Sequence, residues 1–135
     1  MRNRGAVILV ENDKVALIQR TRDDIVYYVF PGGGIENGET PEEGTKREAF
    51  EELGVHVKVH ECIKKVDFNG DQYFFRAEII GGIFGTGQGE EFNDKSRGTY
   101  LPMCVEIKRL SSFDVRPKAV AEKIQSLHYD GYFNL

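Results

Sequence analysis

Apolar residues arrive in short blocks separated by polar and glycine-rich breaks, and the blocks predict the elements. Ala6-Val7-Ile8-Leu9-Val10 is a continuous apolar run, the mark of a buried strand, so a first strand is expected from Gly5 to Val10. Glu11-Asn12-Asp13-Lys14 interrupts it as a turn, and Val15 to Gln19 reads as the second arm of a hairpin. Arg20, Arg22, Asp23 and Asp24 then mark a polar loop. Tyr27 to Phe30 is a short aromatic strand, closed by Pro31 and the glycines Gly32, Gly33 and Gly34, which read as a loop.

After the glycines the period changes. Thr45, Ala49 and Leu53 are spaced four apart and line one face of a helix that runs to Leu53. Thr40 is placed to act as N-cap with Pro41 at the first helical position, and Glu43 completes a capping box. Gly54 is the natural stop. Gly44 interrupts the helix at a cost of about 1 kcal/mol relative to alanine.

Two long strand-like runs follow, Val55 to Phe68 and Gln72 to Ile80, joined through the hairpin signal Asn69-Gly70. Gly81 to Gly89 reads as a mobile glycine-rich loop ending in Glu90-Glu91-Phe92. Thr99 to Ile107 is another strand. Asp114 is expected to cap a last helix on which Val120, Ile124 and Leu127 recur at i, i+4 and i+7. This order predicts an α+β or α/β sandwich, a mixed β-sheet between helices.

Composition narrows the classes. The 135 residues are 40% apolar and 30% charged, as in an ordinary soluble domain, and no repeat or linker divides them, so one domain over residues 1–135 is expected. No apolar run is long enough to span a bilayer. Met1-Arg2-Asn3-Arg4 leads into the first strand without a signal-peptide core, so a cytoplasmic protein is expected. In that compartment Cys62 and Cys104 are expected as two buried thiols rather than a disulfide. The net charge of −4 argues against binding a nucleic-acid polymer, which needs a basic surface. A small polyanion is still admissible if metal ions neutralise it locally. Monomer and homodimer both stay open, because an apolar strand can be core or interface.

The chemistry gathers on the first helix. At about 100° per residue, Glu48, Glu51 and Glu52 fall within an arc of roughly 100°, beside the face of Thr45, Ala49 and Leu53. Three carboxylates on one side repel one another unless a cation sits among them, and hard oxygen ligands suit Mg²⁺ or Mn²⁺. Glu42 and Glu43 read instead as a solvated, helix-forming face.

Together with the preceding glycines, these residues resemble the Nudix box, the signature of the Nudix hydrolase family. The pattern is Gly, five residues, Glu, seven residues, then Arg-Glu-hydrophobic-any-Glu-Glu-any-Gly-hydrophobic. Gly33, Glu39, Arg47, Glu48, Ala49, Glu51, Glu52, Gly54 and Val55 fill its fixed places, with Ala49 small for the hydrophobic slot. The resemblance implies the Nudix fold, in which the box forms a loop–helix–loop beside the sheet. It also implies divalent-metal-dependent hydrolysis of a pyrophosphate linkage in a nucleoside diphosphate derivative. Small size places the chain nearest the compact MutT-like members, which act on nucleoside triphosphates, oxidised ones included. Dinucleoside polyphosphate hydrolysis is the alternative substrate class, and a Nudix-fold module that senses nucleotides without cleaving them is the alternative outside catalysis.

By the same resemblance, Glu51 and Glu52 are metal ligands, Glu48 is a ligand or the base that activates water, and the Gly32 carbonyl adds a ligand. Gly33, Glu39, Arg47 and Gly54 serve structure, the arginine bridging to a carboxylate. Many family members recruit a further carboxylate well after the box. Glu90 and Glu91 lie at a suitable distance, and Glu91 is preferred as the catalytic candidate because Phe92 could anchor it. Arg20 is the candidate for substrate phosphate, with a surface role as its alternative. Tyr28 and Tyr73 are candidates for stacking on a base, with core packing as the alternative. His56, His60 and His128 have no partner at metal-ligand spacing.

Overall fold

The computed structural model describes residues 2–87 and 98–134. It forms two compact units, one made of Met1–Leu9 and Pro31–Gly89, the other of Val10–Phe30 and Glu90–Leu135.

In the first unit, strand β1 (Arg4–Glu11) contributes its residues up to Leu9 and pairs on two sides. On one side it runs antiparallel to β4 (Gly32–Gly34), with Ala6 opposite Gly32 and Arg4 opposite Gly34. On the other it runs parallel to β6 (Asp71–Gly82), from Arg4 opposite Gln72 to Leu9 opposite Ala77. β6 then pairs antiparallel with β5 (Val55–Asp67). The sheet is therefore mixed, as the order of elements predicts. Helix α1 (Pro41–Leu53) buries Thr45, Ala49 and Leu53 completely, the face expected from their spacing. Both halves of the capping box at Thr40 and Glu43 form, at 3.1 and 2.8 Å. Gly54 ends the helix in the left-handed region at φ 78°, which a residue with a Cβ enters only at a cost.

The second unit is centred on β2 (Lys14–Arg22), which lies between β3 (Ile25–Val29) and β7 (Thr99–Glu106), antiparallel to both. Val15, Ala16, Leu17 and Ile18 are all buried, so both faces of β2 are covered. A two-residue strand β8 (Val115–Arg116) pairs parallel with β3. A 3₁₀ turn (Ile107–Ser112) and helix α2 (Lys118–Tyr129) bury Ile107, Leu110, Val120, Ala121 and Ile124. No helix among the described residues is long and apolar enough to cross a membrane.

Several expectations change. Arg20 and Arg22 are not in a loop: β2 continues to Arg22, and the turn is Asp23-Asp24 alone, with Arg22 opposite Ile25. Both aspartates sit at positive φ, 53° and 64°, the geometry a two-residue hairpin turn demands. The three glycines form a strand, because β1 offers a backbone edge that a segment without side chains can approach closely. Gly81 and Gly82 also belong to a strand, where they extend β6 against Val55 and His56. Asp114 caps no helix; its carboxylate is held by Arg116 at 2.8 and 3.2 Å, and α2 begins after Pro117 without a side-chain cap. Cys62 and Cys104 are free, exposed thiols. Cys62 falls at a register shift of β5, and Cys104 sits on β7, which pairs with β2 alone among the described residues.

Candidate functional site

Every box position lies in the first unit, where β4 and α1 hold the site together. Arg47 is its organiser. Its Nε and Nη2 donate to the two oxygens of Glu39 at 2.8 and 3.0 Å, a bidentate pair, and Nη2 also donates to the Gly34 carbonyl at 2.8 Å. Nη1 donates to Glu51 at 2.9 Å and lies 3.6 Å from Glu48 and 3.8 Å from Glu36. One guanidinium therefore ties the helix to β4 and to the loop between them.

Glu39 completes this brace by accepting the Glu36 N–H at 2.9 Å. The Arg47 hydrogen bonds, with that of the Glu36 amide, hold the Glu39 carboxyl down from 4.5 to about 2. Glu39 in turn raises the pKa of Arg47.

Two carboxylates lie deeper. Glu48 and Glu52 are 9% and 7% exposed, the two buried acidic residues among the described ones. They stand one turn apart on α1 and face β4. Glu52 Oε2 accepts the Gly32 N–H at 3.1 Å. The Glu48 carboxylate presses against Gly33 so closely that a Cβ there would overlap it. Gly33 thus leaves a cradle for a carboxylate: a side chain there would have to displace the end of Glu48. The Glu51 side chain is 42% exposed and faces Arg47.

Arg47 supplies one positive charge beside Glu51 and Glu48. Among the described residues no three His, Cys, Asp or Glu side chains converge as a ready-made metal cage. The donors nonetheless suit a hard divalent ion. Two buried carboxylates one turn apart, flanked by a third and by the backbone of a glycine strand, are an all-oxygen set.

Each of the other candidates has its own neighbours. Tyr73, on β6, stacks on Phe75 with centroids 6.0 Å apart, and Lys65 Nζ lies 5.6 Å from its ring. In the second unit, Arg20 lies over the ring of Tyr100 at 4.1 Å and near Tyr27 at 5.7 Å. Its register partners on the flanking strands are those same residues. Arg116 covers Tyr27 at 4.3 Å. Tyr28 packs edge-on to Phe113 at 5.1 Å, and its N–H donates to the Asp114 carbonyl. Glu90 and Glu91 lie outside the described residues. Sequence reasoning missed the Gly34 carbonyl and Glu36 as partners of Arg47. Only the pairing of β4, invisible as a periodicity in three glycines, could have found them.

A mixed sheet with α1 across it, a pair of buried glutamates against β4 and an arginine that ties the helix to that strand define a Nudix-type α+β protein. A family model of the NUDIX domain matches residues 1–100, and the chain belongs to that family. A Bacillus subtilis (strain 168) protein provisionally named 8-oxo-dGTP diphosphatase is 31% identical over 85 residues, which cover 61% of this chain and 57% of that protein. The matched segment thus spans little more than half the length of that relative.

Among solved structures, a MutT from a study of Aliivibrio salmonicida and Vibrio cholerae superposes with a TM-score of 0.71 at 20% identity, covering 93% of this chain and 96% of that one. An ADP-ribose pyrophosphatase from Streptococcus suis 89-1591 gives 0.70 at 17% identity, covering 98% and 92%. At those identities the likeness establishes the Nudix fold.

Proposed function

We propose that the chain, acting as one domain over residues 1–135, is a Mg²⁺- or Mn²⁺-dependent hydrolase that cleaves a phosphoanhydride bond of a nucleoside diphosphate derivative. A nucleoside triphosphate, oxidised forms included, is the preferred substrate. The observation that carries this reading is the pair of buried carboxylates, Glu48 and Glu52, seated against β4 with Gly33 left bare for one of them. Arg47 supplies one positive charge beside Glu48, and a divalent ion would further offset the repulsion of two acidic groups buried one turn apart. The name of the B. subtilis relative favours the triphosphate choice. Dinucleoside polyphosphates are the alternative.

In this reading Glu48, Glu51, Glu52 and the Gly32 carbonyl would hold the ion. Bound there, a divalent ion neutralises phosphate oxygens and lowers the pKa of water. Glu48 is the candidate to take the proton of the attacking water. The water oxygen bonds to phosphorus, the bridging P–O bond breaks, and the phosphate or pyrophosphate leaves with the bonding electrons. Glu91 is the further catalytic candidate. Arg47 and Glu39 keep the helix in register with β4. Arg20, preorganised over Tyr100, would meet a substrate phosphate, and Tyr28 and Tyr73 are the candidates for contact with the base.

A nucleotide panel that contains triphosphates, an oxidised triphosphate, ADP-ribose and dinucleoside polyphosphates, assayed with Mg²⁺ and with Mn²⁺, tests the substrate. A nucleoside triphosphate should give the highest kcat/KM. A higher value for a dinucleoside polyphosphate or for ADP-ribose overturns that choice. Tight nucleotide binding without turnover of any member would point to a sensing module instead.

A further inference from the structure

The segment after β6 is fastened to the last turn of α1. Helices leave their final carbonyls without internal donors, and Gly54 alone does not serve them all here. The Leu53 carbonyl accepts the N–H of Gly85 at 2.9 Å and that of Thr86 at 3.2 Å, and the Gly54 carbonyl accepts the Ile83 N–H at 3.2 Å. Thr86 locks the segment on itself, its Oγ1 donating to the Ile83 carbonyl at 2.7 Å. The backbone then crosses the helix end so closely that a Cβ at Gly87 would strike the carbonyls of Glu52 and Glu51. Thr86 Oγ1 also fills the space that a side chain at Gly54 would need.

Ordinary capping would end at Leu53 and Gly54. This segment reaches one step further back, onto the peptide groups of the two adjacent glutamates that close the box. Helix ends fray by a residue or two. A displacement of about 1 Å in a catalytic group can lower a rate about a hundredfold. A backbone that presses on Glu51 and Glu52 from outside the helix suppresses that drift.

We infer that residues 83–87 form a positioning strap for the Glu51 and Glu52 carboxylates, with Thr86 and Gly87 as its fastening residues. The inference rests on the metal reading above. The strap holds the final helical turn so that the carboxylates meet a hard cation without first being ordered by it.

Mn²⁺ binding, followed by the electron paramagnetic resonance of the free ion, tests this without any turnover, alongside thermal melts of each variant. Gly87→Ala and Thr86→Val should weaken Mn²⁺ binding about tenfold at a temperature well below the melt, the size expected when a group that supports metal ligands is lost. Thr86→Ser, which keeps the hydroxyl, should stay within about twofold of the unaltered chain. If Gly87→Ala does not fold, the Thr86 pair decides alone. Thr86→Val and Gly87→Ala binding Mn²⁺ as the unaltered chain does, whatever their melting temperatures, overturns the strap and leaves the metal reading standing. An unaltered chain that takes up no Mn²⁺ contradicts the metal reading and the strap with it.

Discussion

Arg47 does at the scale of a single residue what the box as a whole requires. It joins Glu39, Gly34 and Glu51 through hydrogen bonds of 2.8 to 3.0 Å. Only a planar fork with several donors can make that set at once. Arg47→Ala should therefore lower the free energy of unfolding by about 2 kcal/mol in urea titrations, and Arg47→Lys should recover little of it. Glu39 carries the pH dependence of the same brace. Its folded pKa of about 2 lies below the ordinary 4.5, so its contribution is fully present above 4.5 and is lost as pH falls from there toward 2. In melts across that range, Glu39→Gln should lose less in Tm than the unaltered chain; parallel curves would show that another carboxylate carries the effect. The residue types and spacing of this brace were readable in the sequence. What they could not convey is that Glu51 is half open while Glu48 and Glu52 are buried, because burial is set by β4 on the other side of the helix.

Elements were legible wherever local chemistry decides them. Thr40, Pro41 and Glu43 announce the start of α1 and Gly54 its end, and all four do so by hydrogen bonds or dihedral preferences within a few residues. Thr40→Ala should cost about 1 kcal/mol of stability, readable as a lower Tm. Gly54→Ala should cost more than that cap, because it adds a strained φ to an overlap with Thr86. Equal losses would mean that the strap yields. The misreadings share one cause. Gly32–Gly34 and Gly81-Gly82 look like loops to any propensity argument, yet each is a strand because a neighbouring edge pairs with it. Asp23-Asp24 hid a tight hairpin turn, since aspartate tolerates positive φ without advertising it as glycine does. Asp114 looked like a cap until Arg116, two residues on, took its carboxylate.

For the whole molecule, the family follows from the NUDIX match across residues 1–100, while the substrate lies in features no motif encodes. Proteins of the same fold carry names as different as MutT and ADP-ribose pyrophosphatase. The stacked row Tyr100–Arg20–Tyr27–Arg116 likewise escapes any motif: register across β7, β2 and β3 assembles its first three members, and Arg116 of β8 joins Tyr27 on the diagonal. The acidic balance of −4 makes the cation essential in this account, since the chain has little positive charge to spare for a polyphosphate. The most direct test is Mg²⁺-dependent hydrolysis of a nucleoside triphosphate by the unaltered chain beside Glu52→Gln and Glu48→Gln. Turnover should vanish with EDTA and fall about a hundredfold or more in each variant. Full turnover in Glu52→Gln, or turnover indifferent to EDTA, would contradict a metal site built on these glutamates.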